Sequence, residues 1–85
     1  MPRYLISYDL DKPGPQDYTR IITEIQRFGG VEVLRSQWVL RNDATAVALR
    51  DHFKAFINQA TDRLIVNEID TVWAAHRPMI DINKV

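Results

Sequence analysis

The fold class this sequence predicts is α+β, in the element order βαββαβ, with a four-stranded antiparallel sheet beneath two helices. Three observations predict it. Short apolar runs rich in β-formers occur at residues 4–10, 31–41 and 63–68, two intervening stretches repeat their apolar residues at helical spacing, and clusters of Gly, Pro, Asn and Asp separate them.

Residues 4–10 make the first strand, with Tyr4, Ile6 and Tyr8 on one parity and Leu5, Ser7 and Asp9 on the other. Residues 11–15 hold two prolines and a glycine, which support neither helix nor ladder, so this segment is a loop. Over residues 16–28, Tyr18, Ile21, Ile22, Ile25 and Phe28 follow one helical face. Arg20, Glu24 and Arg27 lie largely off that face, at spacings that allow ion pairing. Gly29-Gly30 ends the helix, because glycine readily takes the left-handed C-cap conformation.

As a single strand, residues 31–41 would span about 36 Å at roughly 3.3 Å per residue, too long for a domain of this size. They are therefore split near Arg35-Ser36. The absence of Asn-Gly or Asp-Gly there calls for a bulge or a tight irregular hairpin. Asn42, Asp43 and Thr45 offer N-caps for a second helix that runs to about Gln59, with Ala46, Leu49, Phe53, Phe56, Ile57 and Ala60 facing inward. Residues 63–68 are the fourth strand. Ile69, Val72, Trp73 and His76 recur at helical spacing and suggest a short turn ended by Pro78. The tail 79–85 alternates like an extra C-terminal strand, free to pair with a neighbouring subunit's edge. With right-handed crossovers the whole is a ferredoxin-like βαββαβ sandwich.

Eighty-five residues read as one domain, which buries only about 60 to 65% of the surface its unfolded chain would expose. The chain has no cysteine, so disulfides are excluded and oligomerisation is the expected supplement to its stability. A homodimer is expected. The N-terminus lacks the basic region and long apolar core of a signal peptide, and no stretch reaches the roughly 20 apolar residues a membrane span needs, so no membrane association and a cytoplasmic location are expected. A formal net charge of zero argues against a strongly basic nucleic-acid binder, though not against a local basic patch. Of the 11 basic residues 8 are arginine, a bias that fits phosphate recognition and surface ion pairs equally. No Ser-His-Asp order, paired-histidine metal spacing, phosphate-binding glycine loop or cysteine site is present.

In the expected topology the first strand lies between the third and fourth and runs opposite to both, so its C-terminal end meets their N-terminal ends. Asp9 and Asp11 then come near Ser36 and Gln37 and near Asp62 and Arg63, with Arg35 at the same edge. A carboxylate so placed can ligate a hard cation through oxygen, or it can cap the turn into the Pro/Gly loop. Asp62-Arg63 is either part of the same site or an entry turn with a surface ion pair. Trp38 is a base-stacking platform if the sheet face is open, and a core or dimer-packing residue if it is not. His52 is expected in solvent on the second helix, and Trp73 and His76 in packing.

Several of these stretches resemble the CRISPR-associated Cas-two proteins. Tyr4-Leu5-Ile6-Ser7-Tyr8-Asp9-Leu10 is similar to their opening strand, an apolar run ending Tyr-Asp. Leu34-Arg35-Ser36-Gln37-Trp38-Val39-Leu40 resembles their second and third strands, and Asp62-Arg63-Leu64-Ile65-Val66 the entry to their fourth. The resemblance implies a homodimer in which Asp9 of two subunits shares Mg²⁺ or Mn²⁺, acting as a nuclease on RNA or DNA or as a non-catalytic scaffold for nucleic acid or protein. Under the enzyme reading, Asp9 is the metal ligand and catalytic carboxylate, with Ser36 and Arg35 beside it, and Arg35, Gln37 and Arg63 contact nucleic acid. Gln37-Trp38-Val39-Leu40 and Trp73-Ala74-Ala75 depart from the usual pattern of that family, which points to a stand-alone or toxin-like relative.

Overall fold

The computed structural model describes residues 1–69 and 73–85. Its elements are β1 (Arg3–Asp9), α1 (Asp17–Arg27), β2 (Val31–Leu34), β3 (Gln37–Arg41), α2 (Ala46–Phe53) and β4 (Arg63–Ile69). The sheet is antiparallel in the order β2-β3-β1-β4, the ferredoxin-like arrangement, with β1 paired to both β3 and β4. Neighbouring residues on β1 point to opposite faces, and both faces are used. Tyr4, Ile6 and Tyr8 pack with Trp38 and Leu40 against Ile21 and Ile25 of α1 and Leu49 and Phe53 of α2. This is the main core, and fully burying each such aliphatic or aromatic side chain contributes about 1.5–3 kcal/mol.

Local chemistry sets each boundary. The carboxylate of Asp17 accepts the Gly14 amide hydrogen at 2.7 Å, fastening the loop to the first turn of α1. At the other end Gly29 sits at φ +83°, and the amides of Gly29 and Gly30 donate to the carbonyls of Gln26 and Ile25, closing the helix as a Schellman motif. The β2–β3 hairpin turns at Arg35-Ser36, with Ser36 at φ +60° and the register shifted between Glu32 and Leu34. The expected split is found, with an irregular register beside it. Thr45 caps α2, its hydroxyl accepting from the Ala48 amide at 3.1 Å.

Three expectations are corrected. The second helix stops at Phe53, tightens into a 3-10 turn at Lys54–Phe56 and becomes extended at Ile57, well short of Gln59. The cause is polar competition for its backbone. The Asn58 amide donates to the Asp62 carboxylate at 2.8 Å, the Asn58 side chain accepts from Ala60, and the Asn58 carbonyl accepts from Thr61 and Asp62. Ala60 is consequently exposed. Second, β4 extends through Ile69, and residues 73–75 form no helical turn; Val72 lies outside the described residues.

The third correction concerns the tail, which forms no extra C-terminal strand. It crosses the second face of the sheet, tied to β2 by the Met79 amide donating to the Val33 carbonyl at 2.8 Å, and ends in a 3-10 turn at Ile82–Lys84. Trp73, Ile80, Ile82 and Val85 pack there with Leu5, Val33, Val39 and Ile69. The alternation read as a strand is a cover for these apolar residues, which would otherwise face water.

Candidate functional site

The tail packs on the second face over Leu5, Val33, Val39 and Ile69, and its Trp73, His76 and Pro78 line a cleft with Leu34 and Gln37. Toward the end of β1 the same face carries Ser7 and Asp9 opposite Ile65 and Arg63 of β4, with Gln37 of β3 opposite Ser7. Antiparallel partners share a face, so these side chains form one polar surface with an apolar margin. Ile65 is 62% exposed and Leu34 46%.

Asp9 is exposed and lines a cleft of about 300 Å³ with Leu10, Asp11, Thr61 and Arg63. The fold thus brings together Asp9, Asp11 and Arg63 of the residues expected to meet. Asp62 serves them from beneath. Its carboxylate accepts the amide hydrogens of Asp11 and Asn58, each at 2.8 Å, and so binds the loop after β1 to the loop before β4. Those two amides hold its carboxyl below the usual carboxylate range. Asp62 is a clasp rather than a free ligand.

The remaining candidates sit outside the cleft. Gln37 Nε2 donates to Ser7 Oγ at 3.1 Å, crosslinking β3 to β1. Ser36 occupies the left-handed turn position, where its carbonyl accepts the Tyr8 amide at 3.1 Å. Arg35 is exposed beside it. Trp38 is buried in the main core and its indole Nε1 donates to Tyr8 Oη at 3.1 Å, so it presents no face to a base. Burial pushes the Tyr8 phenol above its ordinary value of 10.0, with hydrogen bonds from Trp38 and Ser36 working against that shift.

Magnesium commonly takes one or two protein carboxylates and fills its octahedron with water and phosphate oxygens. Asp9 and Asp11 match that demand. Among the described residues no group of three or more His, Cys, Asp or Glu side chains converges as a metal site. No described helix is long and apolar enough to cross a membrane.

One polar cluster escaped the sequence reading. Glu24, expected on the solvent side of α1, is buried, receives Arg27 Nε at 2.8 Å and Nη2 at 2.6 Å, and hydrogen-bonds His52 Nε2 across to α2. His52 is half-buried, with Phe28, Phe53 and Phe56 around its ring. The i, i+3 spacing of Glu24 and Arg27 signals their pair, but nothing local signals the partner 28 residues on.

No family model matches the chain. Among solved structures, the chain is similar to one described as a hypothetical protein TT1823 from Thermus thermophilus, at a TM-score of 0.69 and 15% identity, covering 91% of this chain and 93% of that one. At that identity the likeness establishes the fold, which the two chains share over nearly their whole length.

Proposed function

We propose that the protein is a metal-dependent nuclease that works as a homodimer, with Asp9 of each subunit contributing to a shared Mg²⁺ or Mn²⁺ site. The observation that carries this reading is the cleft at the exit of β1, where two carboxylates, Asp9 and Asp11, stand with the guanidinium of Arg63. A divalent ion held by the carboxylates supplies Lewis-acid activation of water and neutralises charge on a phosphodiester. Arg63, opposite Asp9 in the strand register, is placed to hold a phosphate oxygen. Arg35 and Gln37 at the neighbouring turn extend the surface along which a strand of nucleic acid would lie. Exposed Ile65 and Leu34 supply the apolar margin that a second copy would bury, which supports the dimer.

The test is cleavage of labelled single-stranded RNA and of duplex DNA, with and without Mg²⁺ or Mn²⁺, by the wild type and by Asp9→Asn. The reading expects cleavage that needs the metal and disappears in the variant. Equal cleavage by both proteins would defeat it.

A second reading, a non-catalytic dimeric scaffold for nucleic acid or a protein partner, has its own support. Ser36 and Gln37 are engaged in holding the turn and the strands, and the chain's formal net charge is zero. Salt-dependent binding of duplex DNA that survives Asp9→Asn, without cleavage, would favour it.

A further inference from the structure

The two outer strands of the sheet are unlike. β2 has four residues and an irregular register with β3, and its Val33 carbonyl is taken by the Met79 amide of the tail. β4 has seven residues, pairs with β1 without a break, and contains no Pro, Gly or Lys. Short length, irregularity, a covering segment, proline and lysine are the devices that keep a sheet edge from pairing with another chain. β2 is guarded in this way and β4 is not.

The register fixes which main-chain groups of β4 face outward. The Tyr8 amide donates to the Ser36 carbonyl and the Asn42 amide to the Pro2 carbonyl, so the even-numbered residues along β1 aim their main-chain groups at β3. The odd-numbered ones, Arg3, Leu5, Ser7 and Asp9, therefore bond to their partners in β4, which are Ile69, Asn67, Ile65 and Arg63. Between these, Leu64, Val66 and Glu68 turn their N–H and C=O groups away from the sheet. Among the described residues no main-chain group bonds to them from outside.

The strand is complementary to itself. With a two-fold axis at Val66, antiparallel pairing sets Val66 opposite Val66 and Leu64 opposite Glu68 of a second copy, and the outward groups of the two strands make about six hydrogen bonds. Arg63 then faces Ile69, and Ile65 faces Asn67 with the second copy's Ile65 on the diagonal, so an apolar side chain that is largely exposed gains its own kind as a neighbour. No like charges are opposed. The neighbouring registers are worse. An axis at Glu68 sets two glutamates directly opposite, and one at Leu64 brings the two Arg63 residues onto the diagonal and runs off the start of the strand. We propose that β4 pairs with β4 of a second copy in the register centred on Val66, extending the sheet across two chains. By strand geometry this contact holds the two Asp9 residues roughly 25 Å apart, so it is separate from the one that would share a metal and does not depend on it. A single strand edge is a small interface, of the weak and transient class.

The test follows amide hydrogen exchange by NMR on the isotopically labelled full chain, from about 50 μM to about 2 mM. Exchange at the Leu64, Val66 and Glu68 amides should slow about fivefold or more across the series, in the wild type and in Asp9→Asn alike. A synthetic peptide of residues 63–69, added to dilute protein, should give the same protection, and a peptide of the same residues in scrambled order should not. Ile65→Lys sets two charges against each other across the axis and should abolish the concentration dependence, with the fold kept because Ile65 is largely exposed. Val66→Pro removes an outward N–H without touching the ladder to β1 and should act in the same way. Exchange at the three amides that does not change with concentration would overturn the proposal, as would protection that persists in Ile65→Lys. Equal protection by the scrambled peptide would also overturn it, marking the edge as open to any strand. If Val66→Pro does not fold, Ile65→Lys decides alone.

Discussion

Removing one hydroxyl at Tyr8 probes the packing that aims β1 at the candidate site. Tyr8 and Trp38 are each 6% exposed, and the indole Nε1 donates to the phenol oxygen at 3.1 Å. In Tyr8→Phe the ring remains, so little apolar contact is lost, but the indole N–H is stranded where water does not reach. Leaving a buried donor unpaired costs about 1–3 kcal/mol. Taking about 2 kcal/mol and about 4–8 °C per kcal/mol for a domain of this size, Tm should fall by about 8–16 °C. Urea unfolding followed by circular dichroism measures the change directly, and a cycle with Trp38→Phe isolates the pair. The double variant should be less destabilised than the sum of the singles by about 1 kcal/mol or more. A Tyr8→Phe protein within about 0.5 kcal/mol of wild type, or strict additivity in the cycle, would refute the reasoning. Because burial raises the phenol above its ordinary value, Tyr8 stabilises the fold fully below pH 10, and that contribution is lost as the pH rises through its folded value.

Glu24 works in the opposite direction. Arg27 foremost, with help from His52 and against the effect of burial, lowers its carboxyl from 4.5 to about 2, so its stabilisation is present above pH 4.5 and lost as the pH falls toward 2. Denaturation midpoints across that range should fall for the wild type and flatten for Glu24→Gln; parallel profiles would show that the cluster does not couple to folding. At the end of α1, a Cβ on Gly30 would lie 2.4 Å from Ile25 Cγ2 and 2.9 Å from its carbonyl oxygen, whereas one on Gly29 would meet nothing within 4 Å but sit at φ +83°. Gly30→Ala should cost about 1–3 kcal/mol by overlap and Gly29→Ala about 1–2 kcal/mol by backbone conformation. Asparagine should then be better tolerated than alanine at Gly29 and no better at Gly30, and the reverse pattern would contradict these causes. Asp62→Ala should speed hydrogen exchange at the Asp11 and Asn58 amides, and unchanged protection there would remove the clasp.

Periodicity located β1 and α1, N-cap residues the start of α2, and strand length the hairpin split at Arg35-Ser36; the ferredoxin-like topology then placed β1 between β3 and β4. From that placement followed the meeting of Asp9, Asp11 and Arg63. The misreadings have a common physical origin in contacts between residues far apart in sequence. Asn58 and Asp62 end α2 by offering its backbone hydrogen bonds that lie outside the helix. The alternating tail obeys a strand period because its apolar side chains must meet Val33, Val39 and Leu5, and that demand comes from the sheet. Glu24 looks solvated on a helical wheel and is buried because α2 delivers His52 beside it.

The central claim is that Asp9 acts as half of a metal site shared by two subunits. Titrating Mn²⁺ into the wild type and Asp9→Asn by calorimetry, with the mass of each measured by light scattering, tests it most directly. The account predicts a wild-type dimer that binds one ion per two chains, and an Asp9→Asn dimer that binds none. A monomer in solution, or Mn²⁺ binding that is the same in both proteins, would contradict it and return Asp9 to the role of a turn residue at the end of β1.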